Sequence, residues 1–178
     1  MTIRVRQQDD IARCVEVLAT VHAADGYPLL WPVDPSAWLT PASLLGAWVA
    51  EDDGRVTGHV ALCSAVEDAA TPLWSAASGL PPERLAWYPD CLLRRAPEAV
   101  EEALLAHACV EAGAWGLRPA LEVLTHDQNA IALYERAGWR RVASVPVPWA
   151  RTSYGQSDDQ SDDQSDDQAM PHYYLAPG

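Results

Sequence analysis

The apolar residues of this 178-residue chain recur at a period of two, then of 3.6, then of two again, several times over. One period marks strands and the other helices, so the alternation calls for a mixed α/β (α+β) fold in which helices cover a sheet. Ile3 and Val5 open a first strand, and Asp9 or Asp10 then caps a helix with Ile11, Val15, Leu18 and Val21 on one face. Residues 22–39 hold three prolines, a glycine and two tryptophans, which predicts a loop with a short second helix near Pro35 to Leu39. Strands are expected over Ala47 to Glu51 and Val56 to Cys63, joined through the tight-turn signal Asp52-Asp53-Gly54-Arg55. Ser64 to Pro82 is rich in small residues and proline around Trp74, so a long irregular connection, a lid or a wall, is expected there.

The second half of the chain repeats the alternation. A strand is expected near Asp90 to Arg95, starting after Pro89 because proline lacks the ladder donor. Pro97 then opens a helix that runs to about Ala114 and stops at Gly116. Ala120 to Thr125 reads as a strand, Asn129 to Ala137 as a helix closed by Gly138, Arg140 to Val147 as a strand and Met170 to Ala176 as the last one. Between those last two strands lies SDDQSDDQSDDQ, Ser157 to Gln168, which has nothing to bury and is expected to be a disordered acidic insertion over residues 155–169. An expansion in a tolerant loop and a tract that binds cations or a basic partner both fit it.

Composition narrows the function classes. The formal net charge is −13, of which six charges lie in the acidic tract and −7 remains elsewhere. That balance repels a polyphosphate backbone at long range and argues against DNA as a partner. No run of eighteen apolar residues occurs, and the charged start Met1-Thr2-Ile3-Arg4-Val5-Arg6 lacks a signal-peptide core, so a soluble cytoplasmic protein without a membrane partner is expected. Cys14, Cys63, Cys91 and Cys109 form no CxxC pair, and neither a metal site nor a disulfide framework is expected.

Asn129 to Val142, NAIALYERAGWRRV, carries the most specific signal. It closely resembles the last motif of the GNAT superfamily of acyl-CoA-dependent N-acyltransferases, with Asn129, Ala132, Leu133, Tyr134, Glu135, Gly138 and Trp139 on the pattern. VHAADGYP, WVAEDDGRVTGHVAL and HYYLAP are also similar to segments of bacterial members, so the resemblance spans nearly the whole chain. It implies a single GNAT-like domain over residues 1–178, with a twisted, mixed but mostly antiparallel sheet of about seven strands flanked by about four helices. It further implies an acetyl-CoA or other acyl-CoA donor, a small-molecule amine as acceptor, and a possible homodimer.

In that family the strand before the long helix carries donor-binding backbone groups, which here correspond to Cys91, Leu92, Leu93, Arg94 and Arg95. A glycine-bearing loop of the form Arg/Gln-x-x-Gly-x-Gly/Ala follows it and cradles the donor's pyrophosphate at a helix N-terminus. Here Pro97-Glu98-Ala99 has no glycine, and Glu101 stands where the helix should begin with one. Glu98, Glu101 and Glu102 stabilise the helix they begin, each by about 0.3–1 kcal/mol, through the macrodipole. The same charges oppose a pyrophosphate: a carboxylate 4 Å from a phosphate charge costs on the order of 4 kcal/mol at an effective dielectric near 20. Arg94 and Arg95 alternate across a strand, so at most one of them faces a given ligand.

The resemblance also assigns roles. Tyr134 stands where many members keep a tyrosine that protonates the departing thiolate, although its spacing from Ile131 and Ala137 also suits a core residue. Asn129 corresponds to a residue that holds the pantetheine arm, or it simply caps its helix. Glu51, Asp90 and His59 are expected at strand ends facing the cleft as candidate bases, with His59 favoured by the imidazole pKa. His22, Asp25, Tyr27, Trp31 and Trp38 fall where the family shapes the acceptor pocket. Three readings follow: an acyl-CoA enzyme with an atypical donor site; an amide-forming enzyme whose acyl group arrives on a carrier protein or an aminoacyl-tRNA; and a non-catalytic GNAT-fold protein that binds a small molecule or partner. A tRNA partner would need Arg94, Arg95, Arg118, Arg140 and Arg141 to cluster.

Overall fold

A computed structural model of the chain describes residues 1–28, 30–88, 98–125, 127–145 and 171–178. Seven strands form one sheet: β1 (Thr2–Val5), β2 (Leu44–Asp52), β3 (Arg55–Ser64), β4 (Leu85–Trp87), β5 (Arg118–Leu124), β6 (Arg140–Ser144) and β7 (Pro171–Leu175). Their spatial order is β1-β2-β3-β4-β5-β7-β6. Every neighbouring pair is antiparallel except β4 and β5, which run parallel. Five α-helices accompany them: α1 (Ile11–Asp25), α2 (Pro35–Trp38), α3 (Thr71–Ser78), α4 (Glu98–Ala114) and α5 (Gln128–Arg136). None of these helices is long and apolar enough to cross a membrane.

The hairpin between β2 and β3 closes where the Asp-Gly signal predicts it. Asp53 and Gly54 both take positive φ, 47° and 73°, the combination a two-residue turn needs to match strand twist. Strand alternation then separates two cores. On one face Trp48, Val60, Leu62, Leu121 and Tyr174 pack under α4 and α5. On the other, Val49 and Val56 pack with Cys14 and Leu18 of α1, while Leu85, Ala120, Tyr173 and Leu175 pack with Trp74 of α3. The sheet is therefore covered on both sides.

One expectation is corrected. The stretch read as an irregular connection contains α3: Pro72 sits in the first turn, where no amide donor is required, and Trp74 is fully buried. Punctuating residues here start and stop a helix rather than prevent one. The expected strand at Asp90 to Arg95 lies outside the described residues, and a strand is found just before it at Leu85–Trp87. The acidic tract also lies outside them, and the strands on either side of it, β6 and β7, pair with each other.

Candidate functional site

The parallel pair in mid-sheet is the last part of the β4 ladder among the described residues. β4 and β5 register as Leu85↔Arg118, Ala86↔Pro119 and Trp87↔Ala120, and the Tyr88 amide donates to the Ala120 carbonyl at 3.1 Å. β5 then continues through Leu121–Leu124 with its other edge paired to β7, but without a β4 partner among the described residues. A strand edge left open inside a sheet offers alternating N–H and C=O groups that need partners. Such an edge suits a ligand with amides along its length.

An aromatic cluster lies beneath this stretch of β5. Tyr88, the first residue beyond β4, has its ring centroid 5.7 Å from that of Trp139; Trp139 is 5.9 Å from Tyr134, and Tyr134 is 6.2 Å from Tyr174. All four rings are buried. The Tyr174 hydroxyl donates to Glu135 at 3.1 Å, and burial, with the carboxylate adding to it, pushes the phenol up to about 12. Cys109 of α4 lies 3.6 Å from the Tyr88 hydroxyl, and burial raises its thiol above the ordinary range.

Tyr134 reaches this cluster because of how α5 is built. Ile131, Leu133 and Tyr134 are its buried side chains, while Ala132, Glu135 and Arg136 face outward. The helix is capped by Asp127, whose carboxylate accepts from the Ala130 amide at 3.1 Å. The expected cap, Asn129, is corrected accordingly: it is an exposed residue of the first turn. Five residues separate Asn129 from Tyr134, about 140° around a helix. The two therefore share no face of α5.

The candidate bases are placed elsewhere. His59 is 1% exposed and faces α1, opposite Val49 in the ladder, and its Nε2 lies 2.9 Å from the Arg6 guanidinium. Burial first, and then the Arg6 charge, lower its pKa to about 3. This enclosed, neutral ring packs between sheet and helix and faces no cleft, contrary to the expectation. Glu51 likewise is held by Arg4, at 2.5 and 2.9 Å, and Arg4 also binds the buried Asp10 at 2.6 and 2.9 Å. Its carboxylate belongs to an ion network at the β1–β2 edge. Asp90, Cys91, Leu92, Leu93, Arg94 and Arg95 lie outside the described residues.

The acceptor-side residues do come together in part. His22 stacks obliquely on Trp31 with centroids 5.3 Å apart, and its Nδ1 is 2.8 Å from the Pro28 carbonyl oxygen. Tyr27 meets Trp38 edge to face at 6.5 Å, and the Tyr27–Pro28 bond is cis. Asp25 is the last residue of α1, and its side chain lies outside the described residues. Of the three glutamates that begin α4, Glu102 turns toward Arg136 of α5 at 3.5 Å. Part of the negative charge expected to oppose a donor is thus countered by α5.

Sequence reasoning missed Tyr88, Trp139 and Tyr174 as members of one cluster. Each sits on a different element, and no spacing rule links positions so far apart. It also missed His172, which bridges Ser144 Oγ at 2.8 Å and Arg141 at 3.3 Å across the β6–β7 pair. Arg118 donates to the Ala176 carbonyl and Arg140 to that of Ala77. Those three arginines are each engaged separately.

No family model and no curated protein matches the chain. Solved structures do match it. The ribosomal-protein-S18-alanine N-acetyltransferase from Escherichia coli aligns with a TM-score of 0.62 at 16% identity, covering 99% of this chain and 92% of its own. A GCN5-related N-acetyltransferase from Kribbella flavida aligns with a TM-score of 0.61 at 20% identity over 99% of this chain and 96% of the other. For yncA from Salmonella typhimurium, solved with its cofactor acetyl-CoA, the values are 0.60 and 18%, over 98% and 91%. Near-complete coverage of both partners at such low identity is a likeness of architecture, and the sheet order with its single parallel junction is part of it. The chain has the fold of the GNAT N-acetyltransferases.

Proposed function

We propose that this chain is an N-acyltransferase that joins an activated acyl group to the amine of a small-molecule acceptor. The observation that carries the reading is the stretch of β5 from Leu121 to Leu124, which has no β4 partner among the described residues and lies above the buried Tyr134. The likeness to solved N-acetyltransferases, one of them with acetyl-CoA, supports it.

An acyl-CoA fits the described half of this site, because the Leu121–Leu124 edge of β5 matches the two amides of a pantetheine arm in the manner of an added strand. Bound there, it supplies an acyl group already activated as a thioester. The chain's own residues orient and protect. The backbone of Leu121–Leu124 fixes the arm, and Tyr88, Trp139 and Tyr174 keep water from the floor. Tyr134 offers a phenolic O–H, the kind of donor that a general acid requires. His22, Tyr27, Trp31 and Trp38 supply an aromatic wall on the acceptor side.

Titration calorimetry of the purified chain with acetyl-CoA, with coenzyme A as control, tests the donor. Micromolar binding is expected, followed by turnover in a screen of amines. Absence of binding up to millimolar concentration would overturn acyl-CoA as the donor and direct the search to acyl groups on a carrier protein or an aminoacyl-tRNA.

A further inference from the structure

A second concavity lies between α4 and α5, over the first residues of β5. α4 leans toward β2 as it descends, so that Trp115 stacks on Trp48 at 5.9 Å, while α5 stays over β7 through the contact of Tyr134 with Tyr174. The diverging helices leave a groove of about 730 Å³ over the first residues of β5. One stripe of α4 lines it, Glu102, Leu105, Ala106, Cys109 and Gly113, at the spacing of a single helix face.

The floor is apolar, formed by Leu105, Cys109, Leu117 and Trp139. The mouth is basic. Arg84, Arg118 and Arg136 line it, against the carboxylate of Glu102. Acidic residues outnumber basic ones 25 to 12 in the chain as a whole, so this local excess of guanidinium groups reverses the general balance. Arg136 is committed to Glu102. The other two are fixed by uncharged groups: Arg84 Nε donates to the Gly116 carbonyl at 2.6 Å, and Arg118 Nε and Nη2 donate to the Ala176 carbonyl at 3.0 and 2.9 Å. These bonds hold the guanidinium planes in place without neutralising them, and both Nη groups of Arg84 and Nη1 of Arg118 keep donors to spare.

We infer that this groove binds a small amphipathic anion, with an apolar body on Leu105, Leu117 and Trp139 and a carboxylate or phosphate head on Arg84 and Arg118. Apolar floor and fixed cationic rim are the two halves such a ligand needs. The groove shares Trp139 with the aromatic cluster but does not include the Leu121–Leu124 edge of β5, and it does not rest on the acyltransferase reading; failure of acetyl-CoA to bind leaves it untouched.

Alkylation of Cys109 supplies a local readout, because its thiol lines the groove and is only partly buried, whereas those of Cys14 and Cys63 are buried. The intact chain is treated with iodoacetamide at mildly alkaline pH in the presence of decanoate, decyl phosphate or decylamine, and modification of Cys109 is mapped by peptide mass. Either anion is expected to protect Cys109, the better one identifying the head, and decylamine is expected not to. Arg84→Gln, and separately Ala106→Trp, which fills the groove from an exposed helix position, should each weaken protection about tenfold. Protection by decylamine equal to that by decanoate, no protection by either anion, or affinities unchanged in both variants would overturn the proposal.

Discussion

At the scale of single residues, burial decides which chemistry a side chain retains. Tyr134 lies 8% exposed under the Leu121–Leu124 stretch of β5, close enough to the surface to meet a ligand yet packed on Trp139 and Tyr174. Replacing it by phenylalanine removes one oxygen and little packing, so Tyr134→Phe should lower kcat about 100-fold with little change in KM for the acyl donor. Steady-state kinetics with the best amine found by screening would check this, and an unchanged kcat would remove Tyr134 from the chemistry. His59 shows the opposite outcome. Its folded pKa of about 3 lies below the ordinary value of 6.5, so the unfolded chain takes up a proton that the folded chain refuses throughout that interval. The stability tied to the neutral ring is complete above pH 6.5 and is lost as pH falls toward 3, with a slope of at most about 1.4 kcal/mol per pH unit. Urea unfolding at stepped pH should therefore show a shallower acid decline for His59→Gln than for the wild type.

At the scale of elements, the seating of α4 on the sheet matters most, since one face of that helix packs on β3 and another lines the groove. Its approach is set by Gly58 of β3, where an added Cβ would stand 2.8 Å from Leu104 Cδ1 and 3.4 Å from Val100 Cγ1. Gly58→Val should push the helix away and cost about 2 kcal/mol, read as a lower urea midpoint with an unchanged slope. The motif helix α5 was legible in sequence because its signal is local: Ile131, Leu133 and Tyr134 fall on one face within nine residues. α3 was not, because Thr71-Pro72 and Gly79, read one by one as breakers, are its first turn and its left-handed C-cap at φ 72°. Of the two roles open to Asn129, that of helix cap is taken by Asp127, two residues earlier, which offers the same chemistry.

At the scale of the whole molecule, the acidic tract falls between two paired strands of the sheet and lies outside the described residues. The strands that flank it, β6 and β7, are held together by their own ladder and by His172 of β7 meeting Ser144 and Arg141 of β6. Deleting the twelve residues Ser157 to Gln168 roughly halves the connection between those strands and makes loop closure easier by about 0.6 kcal/mol. The shortened chain should melt at or slightly above the wild-type temperature in calorimetry; a marked loss of stability would show that the tract contributes to the fold. Its removal also takes the net charge from −13 to −7, so any weak association with basic partners should fade with it.

The chain's own periodicity determined the class of fold, the order of most elements, the Asp53-Gly54 hairpin and the helix that carries Tyr134, since each depends on residues adjacent along the chain. Tertiary structure alone decided that His59 and Glu51 face away from the cleft. Alternation puts His59 and Val49 on one face and Trp48 and Val60 on the other, but which helix covers each face is set by the packing of whole elements, which no spacing rule reports. It likewise decided that Tyr88, Tyr134, Trp139 and Tyr174 meet beneath β5, and that Arg84, Arg118 and Arg136 gather at the mouth of the second groove. Contacts between distant segments follow from the packing of whole elements, which sequence periodicity by itself leaves open.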